Sequence, residues 1–155
     1  VKRALASIFA LLCIAVAAAV SPQVERTSAP EPEVVFGAFD VFVDTGSEPL
    51  AAYQVELKDV LGRARIVGIE GGAPQPFRDP PHYDPRAMRN DHVILGAFST
   101  AADLPRGKVR VARLHIMSEG GPPDFRLVLT TAGAPGGRKL NASATLEPTA
   151  QGDGK

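Results

Sequence analysis

The chain has 155 residues, room for one domain, and its 17 basic and 17 acidic side chains give a formal net charge of zero. A single cysteine and no tryptophan exclude a disulfide-framed scaffold, and the lack of a long basic run argues against nucleic acid as a partner. Fifteen glycines and fourteen prolines lie between short apolar runs, a distribution that favours strands and turns over long helices.

Lys2 and Arg3 precede residues 4–20, which carry no charge and end in the small-residue patterns Ala15-Val16-Ala17 and Ala17-Ala18-Ala19. A positive start, an apolar stretch and an A-x-A exit predict a signal peptide over residues 1–20 and a secreted, periplasmic or cell-surface destination. The alternative is an uncleaved N-terminal membrane anchor, for which the apolar stretch is at the lower limit of length. Leu12 before Cys13 is too large for a lipoprotein signal, so Cys13 is expected to be apolar filler. The opening Val in place of Met is expected to reflect an alternative bacterial start codon. Cleavage would remove the cysteine together with Lys2 and Arg3, leaving 15 basic against 17 acidic residues.

Residues 21–33, SPQVERTSAPEPE, are rich in Pro, Glu and Ser and are expected to be a linker. A folded domain is expected over residues 34–147, with a polar, disordered tail over 148–155. Within the domain the apolar period is two. Phe39, Val41 and Val43 alternate with Asp40, Phe42 and Asp44; Tyr53, Val55 and Leu57 alternate with Gln54, Glu56 and Lys58. Each pattern predicts a strand with one face buried and one wet. Residues 64–70 and 92–99 are more continuously apolar runs of strand length. In residues 108–117 the apolar set moves from Val109 and Val111 to Ala112, Leu114 and Ile116, the phase shift that a β-bulge produces. Phe125, Leu127 and Leu129 alternate with Arg126, Val128 and Thr130, and Leu140, Ala142, Ala144 and Leu146 do so against Asn141, Ser143, Thr145 and Glu147. Gly and Pro punctuation between the runs points to an all-β fold of the sandwich or jelly-roll kind.

The long connection over residues 72–91 gathers the most reactive side chains. His82, Asp84, Asp91 and His92 are residue types that suit a zinc-like ion, although their spacing matches no compact ligand motif. Pro76, Pro80, Pro81 and Pro85 predict an extended loop whose polar residues face water. Loops of this length are often functional, so a binding surface is expected here, built from Phe77, His82, Tyr83, Asp84, Asp91 and His92. His115, in a strand, is expected to point outward. No serine stands in a G-x-S-x-G context and no helix follows Gly71-Gly72 or Gly136-Gly137 to make a phosphate cradle. No catalytic residue, metal or cofactor is therefore expected, and the chain is read as a non-enzyme.

The order of these pieces resembles cohesin-like domains, nine-stranded jelly-roll sandwiches. Phe39-Asp40-Val41-Phe42-Val43-Asp44 is similar to the family's opening strand, and Ala51-Ala52-Tyr53-Gln54-Val55-Glu56-Leu57-Lys58-Asp59-Val60-Leu61 to its second. Ile66-Val67-Gly68-Ile69-Glu70-Gly71 resembles the short strand that follows. Gly107-Lys108-Val109-Arg110-Val111-Ala112-Arg113-Leu114-His115 resembles the family's G-x-L-x-x-I-x-F strand. Lys58-Asp59 replaces the Tyr-Asp that often closes the second strand. The resemblance implies a jelly-roll or immunoglobulin-like β-sandwich of about eight or nine strands, acting as a non-catalytic module that binds a protein partner, dockerin-like in the family, or a polysaccharide. It transfers no contact residue to this chain. Two other readings follow from the residues: a metal-binding envelope protein or metal-dependent hydrolase using His82, Asp84, Asp91 and His92, and a structural cell-envelope protein packing through its edge strands. A membrane enters only through an uncleaved N-terminal segment.

Overall fold

A computed structural model describes residues 31–89 and 92–149, and the fold below is that of the unit Pro32–Lys155. The expected signal segment, nearly all of the linker and the end of the tail lie outside the described residues. Among the described residues seven strands are present: β1 (Val34–Asp44), β2 (Ala52–Asp59), β3 (Ala64–Gly71), β4 (His92–Phe98), β5 (Lys108–Glu119), β6 (Phe125–Gly133) and β7 (Ser143–Pro148). Each periodic run of the sequence became one strand. The eight or nine strands implied by the resemblance are not reached among the described residues. The connection from β3 to β4 forms two short 3-10 turns, Gln75–Phe77 and Pro85–Arg89, and a single bridge from His82 to Gly96. Among the described residues no helix is long and apolar enough to cross a membrane.

The strands form two antiparallel sheets, ordered β3-β5-β1-β7 and β4-β2-β6. The chain changes sheet at every connection, so no two consecutive strands are neighbours. Alternation explains how this buries a core. Val41, Val43, Leu114 and Ile116 from the first sheet join Tyr53, Val55, Leu57, Val93 and Leu95 from the second in one hydrophobic cluster. Leu50, Phe77 and Leu140, from connections, complete it.

The predicted bulge is present. Opposite β5, the register of β1 passes from Val41↔Ala112 to Phe42↔Arg110, so Val111 is the extra residue. Val111 and Ala112 are consequently both buried, which strict alternation forbids. The Tyr53 hydroxyl, from the other sheet, donates to the Val111 carbonyl at 3.0 Å. Burial pushes the Tyr53 phenol up from its ordinary value, keeping it a donor.

Asp59 anchors the opposite end of β2. Only 2% exposed, its carboxylate accepts from the amides of Leu61 (3.2 Å), Ala64 (2.6 Å) and Asp124 (3.3 Å). One side chain thereby ties the β2–β3 turn to the approach to β6. Asp59 continues the face of Tyr53, Val55 and Leu57 in the period of two, a signal that the sequence reading did not use, and a buried carboxylate demands such partners.

On the outer face of the first sheet, Arg113 grips Asp40 through two hydrogen bonds of 2.8 and 3.0 Å, and Arg110 lies 3.6 Å away. These cations hold the Asp40 carboxyl below the usual aspartate range, the Arg113 hydrogen bond contributing most. His115 lies on this face, half-exposed and 2.7 Å from Glu70 Oε1.

Gly71 and Gly72, expected to be turn glycines, serve a different purpose. A Cβ on Gly71 would stand 1.9 Å from the Arg78 carbonyl oxygen, and one on Gly72 would stand 2.4 Å from that of Arg110. The absent side chains let the long connection fold back onto the end of β3.

Candidate binding surface

The outer face of the three-stranded sheet is built of cross-strand rows, because register places one residue of each strand side by side. In the sheet order β4-β2-β6 the rows are His92–Lys58–Arg126, Ile94–Glu56–Val128, Gly96–Gln54–Thr131 and Phe98–Ala52–Gly133. Charge is concentrated in the first two. His92 Nε2 lies 2.9 Å from Glu56 Oε1, a diagonal pair across β4 and β2.

The other two rows are different in kind. Phe98 is 79% exposed, the most exposed of the large apolar side chains among the described residues, and its row neighbours are Ala52 and Gly133. A Cβ built on Gly133 would meet the Ala52 side chain at 3.8 Å, and one on Gly96 would meet that of Gln54 at 3.9 Å, so these residues share the outer face. An aromatic ring therefore rises beside Ala52 and Gly133, which have little or no side chain, with Gly96 in the next row. Open grooves of about 480 Å³ lie against it on two sides. One runs over Ala52 and Gly133 to the turn of Pro135, Gly136 and Gly137. The positive φ of Gly136 (78°) and Gly137 (82°), a region open to glycine at no steric cost, sets that rim. The other groove runs over Gln54 and Gly96 to His82, Tyr83 and Asp84. A third depression, of about 540 Å³, shares Ser99 and Ala101 with the first groove but is walled by Pro74, Pro76 and Pro105 and presents no aromatic ring.

The long connection reaches this face because His82 pairs with the edge of β4. His82 donates its amide to the Gly96 carbonyl at 2.8 Å, and Gly96 returns the bond at 3.0 Å. Asp84 then starts the second 3-10 turn, accepting from the Arg86 amide at 2.9 Å. Of the predicted site residues, His82, Tyr83 and Asp84 come together beside Phe98. Tyr83 is half-buried against the core, whereas His82 and Asp84 are exposed.

Phe77 is a correction. It was expected on the contact surface, yet it is 2% exposed and its ring packs edge-on against Tyr53 with centroids 5.5 Å apart. The Pro-containing turn before it drives the ring into the core, where the hydrophobic gain from burying an aromatic exceeds anything exposure offers. His92 stands three rows from Phe98, engaged with Glu56, and Asp91 lies outside the described residues. Among the described residues no three His, Cys, Asp or Glu side chains converge as metal ligands.

Sequence reasoning missed Phe98. Its run, HVILGAF, is apolar at nearly every position, so period alone did not separate faces. The separating signal was His92 at the start, which marks the even-numbered residues of the run as wet. Comparison of the chain with known protein families, with curated proteins and with solved structures found no match.

Proposed function

We propose that this chain is an exported, non-catalytic binding or scaffolding module, a cohesin-like β-sandwich that engages a protein partner or a polysaccharide through the face around Phe98. The observation that carries the reading is a ring 79% exposed that lines two grooves, with only Ala52 and Gly133 beside it in its row. Leaving such a ring in water forfeits the stabilisation its burial would give, and exposed apolar clusters rimmed by polar groups mark interaction sites. Two sheets sharing one core support the sandwich, and the charge and hydropathy pattern of residues 1–20 supports export. The grooves are shallow and open, with His82 and Asp84 on a rim, which suits recognition better than the enclosed, water-excluding site that catalysis favours.

Parallel pull-downs from a cell-envelope fraction and a glycan array, run with the wild-type chain and Phe98→Ala, test the proposal. Ligands retained by the wild type and lost by the variant support it. Ligands retained equally by both place recognition elsewhere on the domain.

A second reading, a structural envelope protein assembling through an edge strand, is favoured by the start of β1. There β7 pairs only with Phe39–Asp44, leaving the stretch before it paired with β5 alone, while Val34, Val35 and Phe36 are 48%, 47% and 65% exposed. An unpaired, uncharged, apolar edge is a template for another copy of the same strand. Concentration-dependent sedimentation that disappears on Phe36→Lys would favour this reading over the first.

A further inference from the structure

We infer that the ligand of the Phe98 face is a neutral polysaccharide, one sugar ring of which stacks on Phe98 while its neighbours occupy the grooves on either side. This rests on the binding-module reading and narrows its ligand class. The face of an aromatic ring carries negative electrostatic potential. The axial C–H groups of a pyranose form a flat, weakly positive surface of matching size. A ring flanked by minimal side chains, Ala52 and Gly133 in its own row and Gly96 in the next, leaves room for a second flat ring to lie against it.

Charge on the lining selects the class. The groove beside Gly133 contains no ionisable side chain, and the groove beside Gly96 contains no Lys or Arg. An acidic glycan or a nucleic acid would bring charges that this lining leaves unpaired, and its one carboxylate, Asp84, would repel them. What the lining does provide is hydrogen-bonding groups at the margins: Gln54 and His82 on one side of Phe98, Thr100 and Thr131 on the other. These are the groups that sugar hydroxyls use. Grooves on two sides of the ring fit a chain that continues in both directions, so a polymer is favoured over a monosaccharide. A membrane surface is disfavoured, since the groove that Phe98 shares with Ile94 is interrupted by Gln54, His82 and Asp84 and holds no Lys or Arg.

Affinity electrophoresis of the full chain in gels containing hydroxyethylcellulose, galactomannan, β-1,3-glucan or polygalacturonate provides the test. The expected result is retardation in at least one neutral gel and none in polygalacturonate. Phe98→Ala is expected to weaken the retarding interaction about 10-fold, the loss of one aromatic stacking contact. Phe98→Tyr, which keeps the ring, is expected to remain within about 3-fold of wild type. Unchanged thermal unfolding of both variants separates loss of binding from loss of fold. Absence of retardation in every neutral gel, stronger retardation in polygalacturonate, or a Phe98→Ala chain that migrates as the wild type does would overturn the inference. If the chain instead holds a protein partner in a Phe98-dependent way while ignoring all four polysaccharides, the glycan assignment falls and the module reading stands.

Discussion

Replacing Tyr53 by Phe removes a single hydroxyl from the centre of the molecule and leaves the ring where it was. Tyr53 is 3% exposed and donates to the carbonyl of Val111, which is 0% exposed and is the residue skipped in the β1 register. The edge-on contact with Phe77 survives the change, so the loss isolates one buried hydrogen bond to a carbonyl held away from water. That combination costs about 1–3 kcal/mol. For a domain of about 115 residues, an unfolding entropy of about 2.1 cal/mol/K per residue gives roughly 0.24 kcal/mol/K, so Tm should fall by about 4–12 °C. Thermal and urea unfolding followed by circular dichroism measure this, and the urea m-value should stay constant because the surface exposed on unfolding is unchanged. The difference should also depend on pH in one direction. Burial raises the Tyr53 pKa in the folded protein, so the unfolded phenol ionises first, near its ordinary value of 10.0. The stability contributed by Tyr53 is therefore complete below about pH 10 and declines above it. A Phe variant with unchanged or higher Tm at neutral pH would refute the reasoning, because the Val111 carbonyl would then have no need of the hydroxyl.

Asp59→Ala strips three backbone amides of their acceptor and is expected to destabilise the domain by about 3 kcal/mol or more, read by urea unfolding. Asp59→Asn should recover little, since its amide NH₂ would face at least one amide N–H donor. Asp40→Asn is expected to cost about 1–2 kcal/mol at neutral pH through the weakened Arg113 contact. Because the folded pKa of Asp40 is depressed, its contribution is complete above the ordinary aspartate value near 3.8 and is lost as pH falls through the lower folded value. Wild type and Asp40→Asn should therefore begin to converge in stability only as pH falls below about 3.8, as acid titration of unfolding would show. Gly71→Ala drives a methyl group into the Arg78 carbonyl and should lower stability by about 1–3 kcal/mol, whereas the same change at Gly37, where a Cβ meets nothing within 4 Å, should be nearly neutral.

How far the sequence reached depended on how local each determinant was. Strand positions and the inward face of β1, β2 and β6 follow from alternation within eight or so residues, and the bulge in β5 from a phase shift within ten. The burial of Asp59 was missed, although its odd-numbered place after Leu57 carried the same signal. Where a run was apolar on both faces, as in β4, alternation lost its contrast and the exposed Phe98 went unnoticed. Phe77 was misplaced for a related reason: in an irregular, proline-rich connection no period exists to tell ring-in from ring-out.

By itself, then, the amino-acid order determined which segments extend, which side of most of them avoids water, and where one strand takes an extra residue. Tertiary structure decided which strands became neighbours. The chain switches sheet at every connection, so every pairing joins segments that are not consecutive, and local periodicity carries no information about such partners. The rows that set Phe98 beside Ala52 and Gly133 exist only through those pairings, and so does the surface proposed to bind.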